Sequence, residues 1–456
     1  MSTEAELMKR ISQKEIESGV YSYSINGYSI YSLARLDFRM CFLEKNGTIA
    51  MPLTTKPGKV DTMRSMLSSL FQLSKLLLVH KNISNLLISF PRLDKISGEY
   101  TDKFTDSIID YSNINQNCII FEHGRGGRHL TPRYHGDRVI WIDAIGVSSY
   151  IISRLGYACF KFKYRKTLDS FFLTVGEFVN PSWYNRTYLE KRILEYLIYG
   201  WFYERIMSRL SIRNLFVVTR PPIELTAAKK LGVRTFEMQH GITYNETPLY
   251  AGYRDERLLP NFFLSFGDND PNTVYGIDVK QMVNIGWAFS KMVGDSSDRM
   301  DTKEKDVLVV SDPEITDAII TIISELAISF PESDFYLRPH PHEHLNEEQM
   351  NAIATLHNVH IQDNSINIAV VLQSFKYVIG DSSTVLYEAL SVGKYVGKLF
   401  MGGLVPRYLK NEDSESFCEI RGNEDFQNFI NGQWHPNTLK SIYSPFDAEK
   451  LNSLLN

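Results

Sequence analysis

The chain has 456 residues, of which 43% are hydrophobic, so we expect two or three domains with ordinary cores. Its formal net charge at pH 7 is only −4, which excludes a general electrostatic attraction to nucleic acid. The four cysteines are scattered without CxxC spacing, which argues against a zinc site or a disulfide framework and is typical of a reducing cytoplasm.

The first half of the chain predicts a parallel α/β domain. Its first 18 residues are polar and do not resemble a signal peptide. Residues 21–37 could hold one or two strands, and 63–80 is a helix candidate, but the βα pattern becomes clear only from residue 118. Strands are predicted at 118–121, 139–142, 214–219, 233–238, 262–267 and 283–286, and helices at 188–210 and 224–231. Strands that alternate with helices indicate a parallel sheet with right-handed crossovers.

A polar stretch, 291–305, is interpreted as a linker, because the α/β pattern restarts after it. Strands are predicted at 306–310, 335–337, 359–361, 377–379 and 394–397, and helices at 315–328, 366–373, 426–430 and 448–455. We therefore predict an α/β protein with two Rossmann-like, doubly wound domains that face a cleft. The N-terminal domain spans 1–292, the C-terminal domain spans 305–435, and a terminal helix lies within 436–456.

Two strand ends in the second half have the composition of an anion site. The strand at 377–379 leads through Asp381, Ser382 and Ser383 into an amphipathic helix, and Asp381 or Ser382 is expected to cap that helix. The free N–H groups and the dipole of a helix N-terminus attract anions. At the other strand end, two prolines hold Arg338 and His340 in an extended segment that suits recognition of a phosphate or a base. We expect both strand ends to converge on a nucleotide monophosphate or diphosphate.

These residues also have purely structural interpretations. The serines could serve only as a cap, and Arg338 with its histidine neighbour could be solvated charges on a rigid loop. Glu388, farther along the helix, could accept both hydroxyls of a ribose or be an exposed carboxylate. His340, His342 and His344 make a metal site conceivable, but no carboxylate cage accompanies them, so we predict no bound metal.

Two segments of the first half carry candidate acceptor-binding groups. Gly241 permits close backbone approach of a ligand at a strand end. His240 beside it could take a proton from an acceptor hydroxyl, or it could be a satisfied structural histidine. Residues 122–128 form a glycine-rich loop that lacks both GxGxxG and GK[ST]. This loop could be merely flexible, or it could wrap an acceptor through His123, Arg125 and Arg128.

Three short motifs make the chain resemble bacterial GT-B glycosyltransferases of surface polysaccharide assembly. They are Gln239-His240-Gly241, Arg338-Pro339-His340-Pro341 and Asp381-Ser382-Ser383-Thr384, and the resemblance covers roughly residues 215–400. The nearest groups are the capsule and O-antigen transferases, the teichoic acid glycerophosphotransferases, and the bacterial sialyltransferases and Kdo transferases.

The resemblance implies that the C-terminal domain binds the donor nucleotide. Arg338 and His340 would hold its phosphate or base, Glu388 its ribose, and the phosphate would lie at Ser382, Ser383 and Thr384. His240 would lie across the cleft, on the acceptor side. The acidic base of the sialyltransferase-like enzymes has no clear match in this sequence.

From these observations we predict a metal-independent glycosyltransferase that needs no cofactor beyond its nucleotide-sugar substrate. The donor would be CMP-, CDP-, UDP- or GDP-linked, the acceptor a glycan or lipid-linked glycan, and nucleic acid is not an expected partner. The alternatives are a nucleotide-sugar epimerase of the same fold and a non-catalytic partner that binds glycan or nucleotide in an assembly complex. The aromatic helix at 188–210 could be core, an interface or a membrane-surface contact. Core is the preferred interpretation, and a peripheral position of a cytoplasmic protein at the inner membrane stays open.

Overall fold

The computed structural model describes residues 4–45, 59–79, 83–91, 93–124, 128–179, 186–241, 255, 257–268, 277–295, 300, 302–313, 315–340, 343–364, 366–381, 383–400, 417–433 and 443–455. Ahead of the first sheet the chain forms three helices and a short hairpin: α1 (Glu4–Glu17), β1 (Ser24–Ile25), β2 (Tyr28–Ser29), α2 (Ile30–Leu33) and α3 (Arg35–Lys45). The strands expected within 21–37 are thus limited to this hairpin, because Ser29 caps helix α2 directly after it.

The N-terminal domain is built on a seven-stranded parallel sheet. In chain order its elements are α4 (Lys59–Val79), β3 (Asn85–Ile88), β4 (Asp94–Ile96), β5 (Glu99–Thr101), α5 (Thr105–Asp110), β6 (Cys118–Glu122), β7 (Val139–Trp141), α6 (Asp143–Gly176), α7 (Arg186–Leu210), β8 (Asn214–Val218), α8 (Pro222–Lys230), β9 (Arg234–Met238), β10 (Phe262–Ser265), β11 (Met282–Asn284) and α9 (Ala288–Asp295). The sheet has the spatial order β7-β6-β3-β8-β9-β10-β11, and β4 with β5 forms a separate antiparallel hairpin.

The C-terminal domain contains a second parallel sheet of six strands. Its elements are β12 (Val307–Val310), α10 (Thr316–Ser329), β13 (Phe335–Arg338), α11 (Glu347–Ala354), β14 (Val359–Ile361), α12 (Ile368–Ser374), β15 (Tyr377–Gly380), α13 (Thr384–Ser391), β16 (Tyr395–Leu399), β17 (Cys418–Ile420) and α14 (Asn423–Ile430). A last helix, α15 (Ala448–Ser453), follows near the end of the chain. The spatial order is β14-β13-β12-β15-β16-β17.

Both sheets reverse their strand order beside their first strand. In the N-terminal sheet β3 lies between β6 and β8, and in the C-terminal sheet β12 lies between β13 and β15. Ligands of open α/β sheets bind at the carboxyl ends of the strands where the order reverses, because the adjacent loops diverge there and leave a crevice. The predicted fold class is confirmed, and it is the two-domain arrangement that the GT-B resemblance implied.

One hydrophobic cluster joins the two domains. It includes Leu87 and Phe216 of the N-terminal sheet together with Leu308 and Val378 of the C-terminal sheet. We expect this shared core to hold the relative position of the sheets, since burial of apolar surface is the main favourable term in folding.

The last helix of the chain returns to the N-terminal domain. Arg234 of β9 donates to the backbone carbonyl of Leu455 at 2.6 Å, and the backbone N–H of Asp447 donates to the carbonyl of Ile285 at 2.8 Å. Gly286 has φ +73°, and a Cβ there would lie 2.1 Å from the carbonyl oxygen of Pro445. The close passage of the returning segment therefore requires glycine at this position.

Several elements differ from the sequence-based expectation. The central strand β3 and the 34-residue helix α6 were not predicted, and residues 291–295 of the expected linker belong to helix α9. Within the described ranges, no helix combines the length and the apolar character needed to span a bilayer.

Candidate functional site

A cavity of about 390 Å³ lies between the two domains. Its N-terminal wall is the hairpin of β4 and β5, with Leu93, Asp94, Lys95 and Tyr100. Its C-terminal wall comes from the ends of β12 and β13, the segment between β14 and α12, and the start of α13, with Val310, Ser311, Arg338, Pro339, His340, Asn364, Ile366, Asn367, Ile368, Ser383 and Val385. The two strand ends expected to converge therefore line one cleft.

Ser383 caps helix α13 at the floor of this cleft. Its backbone is extended (φ −67°, ψ 134°), and its Oγ accepts a hydrogen bond from the N–H of Val385 at 3.3 Å. The expectation that Asp381 or Ser382 is the cap is therefore wrong, because β15 continues through Gly380 and the helix starts later than expected. The first N–H groups of a helix have no intrahelical acceptor, so they remain able to bind an anion.

The other predicted residues of this helix have different surroundings. Thr384 is its exposed first residue, and Ser382 lies outside the described residues. Glu388 is not among the residues that line the cavity; its carboxylate lies 3.5 Å from Nζ of Lys103, at the contact between the two domains. A ribose contact by Glu388 stays a prediction.

Arg338 lies at the end of β13 with its guanidinium turned toward the loop after β14. It donates to the backbone carbonyls of Ile366 at 2.8 Å and Asp363 at 3.4 Å. Burial lowers the pKa of Arg338, while Asp363 and Asp94 act in the opposite direction. These contacts fix the guanidinium in place, and its position in the cleft wall is compatible with an anionic ligand.

Glu343, which the sequence did not single out, fixes the segment that carries His340. Its Oε2 accepts the backbone N–H of His340 at 2.7 Å. Its Oε1 accepts the hydroxyls of Ser311 at 2.8 Å and Thr316 at 2.6 Å. One carboxylate thus ties the turn after β13 to the loop after β12 across the reversal point. Pro341 and His342 lie outside the described residues.

Asp94 is the acidic group in the opposite wall of the cleft. It is partly buried and accepts a hydrogen bond from the side chain of Asn367, a residue of the C-terminal domain. Burial raises the pKa of Asp94 to about 6 against the opposing effect of Lys103, and Glu388 acts in the same direction as burial. A carboxylate with this pKa is ionised at neutral pH and remains basic enough to accept a proton.

Sequence reasoning missed Asp94 because the region before residue 104 lacks a clear pattern. A signal was nevertheless present. Ser97 and Gly98 form the two-residue turn between β4 and β5, with φ values of +47° and +88°. A two-residue turn of this kind ending in glycine is typical of a tight hairpin.

His240 lies at the carboxyl end of β9 but is not among the residues that line the cavity. Its ring centroid is 4.7 Å from that of Phe90 and 5.6 Å from that of Phe104. Beside it, the carbonyl of Gly241 accepts a hydrogen bond from Gln239 at 2.7 Å. Two predictions therefore remain untested: His240 as the base, and Gly241 in acceptor binding.

His129 follows the glycine-rich loop directly, and its buried side chain contacts Glu122 at the start of the loop. His129 lies between Glu122 at 2.8 Å and Asp143 at 2.7 Å, and its ring stacks on Trp141 with a centroid separation of 4.0 Å. Burial alone would lower the pKa of His129, but the two carboxylates outweigh burial and raise it. A Cβ at Gly124 would lie 2.9 Å from Asp143 Oδ1, so glycine lets the loop pass close to this cluster.

Of the predicted acceptor residues in this loop, neither His123 nor Arg128 is among the residues that line the cavity. His123 and Arg128 are exposed, and Nε2 of His123 lies 2.9 Å from the hydroxyl of Tyr199. Arg125 lies outside the described residues. Among the residues that the structure describes, no group of three or more His, Cys, Asp or Glu side chains is arranged to hold a metal ion. Cys118, Cys159 and Cys418 are free thiols.

No family model matches the sequence, and no curated protein matches it. Several solved structures are similar to the chain. They include the UDP-GlcNAc 2-epimerase from Neisseria meningitidis bound to UDP-GlcNAc (13% identity, TM-score 0.48, covering 82% of this chain and 99% of that chain). The UDP-GlcNAc 2-epimerase from Methanocaldococcus jannaschii has 10% identity and a TM-score of 0.46, covering 81% and 98% of the two chains. The glycosyltransferase SnogD from Streptomyces nogalater has 11% identity and a TM-score of 0.43, covering 77% and 91%.

Proposed function

We propose that the chain transfers a sugar from a nucleotide-sugar donor to a glycan acceptor in the cleft between its two domains. The observation that carries the proposal is the composition of the two walls. One wall presents Arg338, His340 and the N-terminus of α13, which suit a phosphate. The other presents Asp94, an acid with a pKa of about 6. A transfer reaction needs both kinds of group, one for the leaving phosphate and one for the incoming hydroxyl.

In the proposed reaction, the acceptor hydroxyl attacks the anomeric carbon of the donor. The bond between that carbon and the phosphate oxygen breaks, the hydroxyl proton passes to Asp94, and the nucleotide leaves with the electron pair. The negative charge that develops on the phosphate is stabilised by Arg338, by His340 and by the helix N–H groups next to Ser383. In this proposal Asp94 is the general base, whereas the sequence analysis had considered His240 for that role.

Assembly of a capsule or an O-antigen is the specific setting that we propose. Its support is the resemblance of the three short motifs to transferases of surface polysaccharides. The donor nucleotide would be CMP, CDP, UDP or GDP, and the acceptor a glycan or lipid-linked glycan. A cytoplasmic location is part of the same proposal, because nucleotide sugars are its substrates.

The test measures nucleotide release from CMP-, CDP-, UDP- and GDP-sugars with and without a glycan acceptor. We expect one donor to release its nucleotide only when acceptor is added, and Asp94→Asn to lower that rate by about 10²- to 10⁴-fold. Asp137→Asn is the matched control, since Asp137 is 80% exposed on the same domain.

Three other outcomes would contradict the proposal. Interconversion of a nucleotide sugar without acceptor would identify an epimerase. Nucleotide binding, seen as a raised thermal midpoint, without release in the presence of acceptor would identify a binding partner. No binding of any nucleotide would reject the cleft as a donor site.

A further inference from the structure

Helices α4 and α6 of the N-terminal domain carry large apolar side chains on their outward sides. On α4 these lie on one side of the helix, with Phe71 at 71% and Leu78 at 78% exposure; the others are Met63, Leu67 and Leu70. On α6 the stripe consists of Ile151, Leu155 at 81% and Phe162 at 87% exposure. We call these eight side chains the apolar face. Apolar surface of this kind marks a site of interaction.

The two stripes belong to one surface. The inward sides of both helices enter the same core, through Leu73 and Leu76 of α4 and Phe160 of α6, and the helices contact each other. The hydroxyl of Ser69 on α4 accepts the N–H of Ala144 in the first turn of α6 at 3.0 Å. Side chains opposite to a shared core point away from the sheet, so the stripes of α4 and α6 are exposed on the same side of the domain.

Cations surround the apolar face. Among the described side chains of the two helices, the basic ones are Arg64, Lys75, Arg154, Lys161, Lys163, Arg165 and Lys166, whereas the acidic ones are Asp143 and Asp169. Asp143 is bound to His129, and Asp169 is paired with Arg186. Three of the basic side chains are in ion pairs: Arg154 with Glu195 of α7, Lys161 with Glu190 of α7, and Arg165 with Asp169. Arg64, Lys75, Lys163 and Lys166 are not part of these pairs, so the rim of the apolar face carries a net positive charge.

We propose that the apolar face docks on an anionic lipid bilayer, with Leu155, Phe162 and Phe71 entering the interfacial region. A helix with a wide apolar side and basic flanks binds in the plane of such a surface, through apolar burial and attraction to anionic headgroups. The inference stands on this surface alone and does not depend on the proposed transferase activity.

A second copy of the chain fits the same surface less well. A two-fold dimer would bring the same patch of both protomers together, because the interface of such a dimer is isologous. The cationic rim, including Lys163 and Lys166, would then face its own copy, and like charges across an interface oppose association. A bilayer with negative headgroups complements both the apolar centre and the basic rim.

The experiment is co-sedimentation of the full chain with vesicles of phosphatidylglycerol mixed with phosphatidylcholine, and with vesicles of phosphatidylcholine alone. We expect binding to the anionic vesicles that weakens as salt is raised. Leu155→Ser combined with Phe162→Ser should lower the partition coefficient by about tenfold or more, because two large side chains no longer enter the lipid. Lys163→Glu combined with Lys166→Glu should weaken binding to anionic vesicles while leaving the apolar face intact.

Ile328→Ser is the matched control, since Ile328 is 72% exposed on α10 of the other domain. It should bind as the unmodified chain does, and circular dichroism should show that every variant is folded. Failure of the unmodified chain to bind anionic vesicles would overturn the inference, as would equal binding by the Leu155/Phe162 variant. A dimer in light scattering that this variant converts to a monomer would assign the apolar face to a second copy instead.

Discussion

Asp94 and Arg338 line the same cleft from opposite domains, and the carboxylate of Asp94 acts to raise the pKa of the guanidinium. The pair therefore places a carboxylate and a fixed positive charge on two sides of one cavity. The proposed transfer needs the donor phosphate toward Arg338 and the anomeric carbon toward Asp94.

The rate of transfer should depend on pH through Asp94. Burial raises the pKa of this carboxyl to about 6, so it is ionised above that pH and protonated below it. We expect kcat/KM to rise with pH and to reach half of its plateau near pH 6, since only the ionised form accepts a proton. The pH profile of the Asp137→Asn control should be the same, and a flat profile between pH 5 and 8 would remove Asp94 from the role of base.

Two substitutions of Ser383 separate helix capping from ligand binding. Ser383→Ala should destabilise the protein by about 1 kcal/mol through loss of the cap. Ser383→Asp should keep the cap, because aspartate is as good a cap as serine. Its negative charge should nevertheless abolish nucleotide binding, measured by thermal shift with the best nucleotide. Unchanged binding in the aspartate variant would reduce Ser383 to a structural cap.

Glu343→Ala should loosen the C-terminal wall of the cleft. Its carboxylate accepts hydrogen bonds from Ser311, Thr316 and the backbone of His340, and these donors would lose their partner. We expect the free energy of unfolding to fall by about 1–3 kcal/mol and nucleotide affinity to fall as well. Ser311→Ala removes only one of the three donors, so it should have the smaller effect in both measurements. Equal nucleotide affinity in both variants and the unmodified chain would show that this tie does not support the site.

A double-mutant cycle tests Glu388. If its carboxylate only pairs with Lys103, then Glu388→Gln and Lys103→Ala should each cost at most about 1 kcal/mol of stability. The double variant should then cost no more than either single one. If Glu388 also binds the ribose, Glu388→Gln should weaken nucleotide binding more than Lys103→Ala does. Isothermal titration of both single variants with nucleotide distinguishes the two cases.

The buried histidine of the glycine-rich loop should make stability depend on pH. The pKa of His129 is raised in the fold by Asp143 and Glu122, so its contribution to stability is fully present below the unfolded pKa of about 6.5. That contribution is lost as pH rises through the folded pKa. We expect His129→Gln to lower the thermal midpoint more at pH 6 than at pH 9. An equal loss at both pH values would show that the histidine is not charged in the fold.

The sheet strands between residues 118 and 399 were predictable from the sequence, because each buried strand is a short apolar run between polar turns. The convergence of Arg338, His340 and Ser383 on one cleft was predictable for the same reason, since they lie at the ends of such runs. Ser382 and Arg125 lie outside the described residues, so their roles stay predictions.

The remaining parts depend on tertiary contacts. Helix α6 was missed because Leu155 and Phe162 on its outer side are as apolar as Phe160 on its inner side, which weakens the contrast between a polar and an apolar side that marks a surface helix. Asp94 was missed because a lone aspartate in a hairpin has no pattern of its own. Its pKa is raised by burial, and the contributions of Lys103, Glu388 and Asn367 come from residues that are distant in the sequence.

The return of the final segment has a practical meaning for dissecting the molecule. A fragment cut at the boundary near residue 300 would lack the partners of Arg234 and of the Trp287 backbone N–H, which donates to Ser444 at 2.9 Å. The first domain is thus completed by the far end of the polypeptide. The two halves are not interchangeable modules, and chimaeras that swap one half should carry residues 443–455 along with the first.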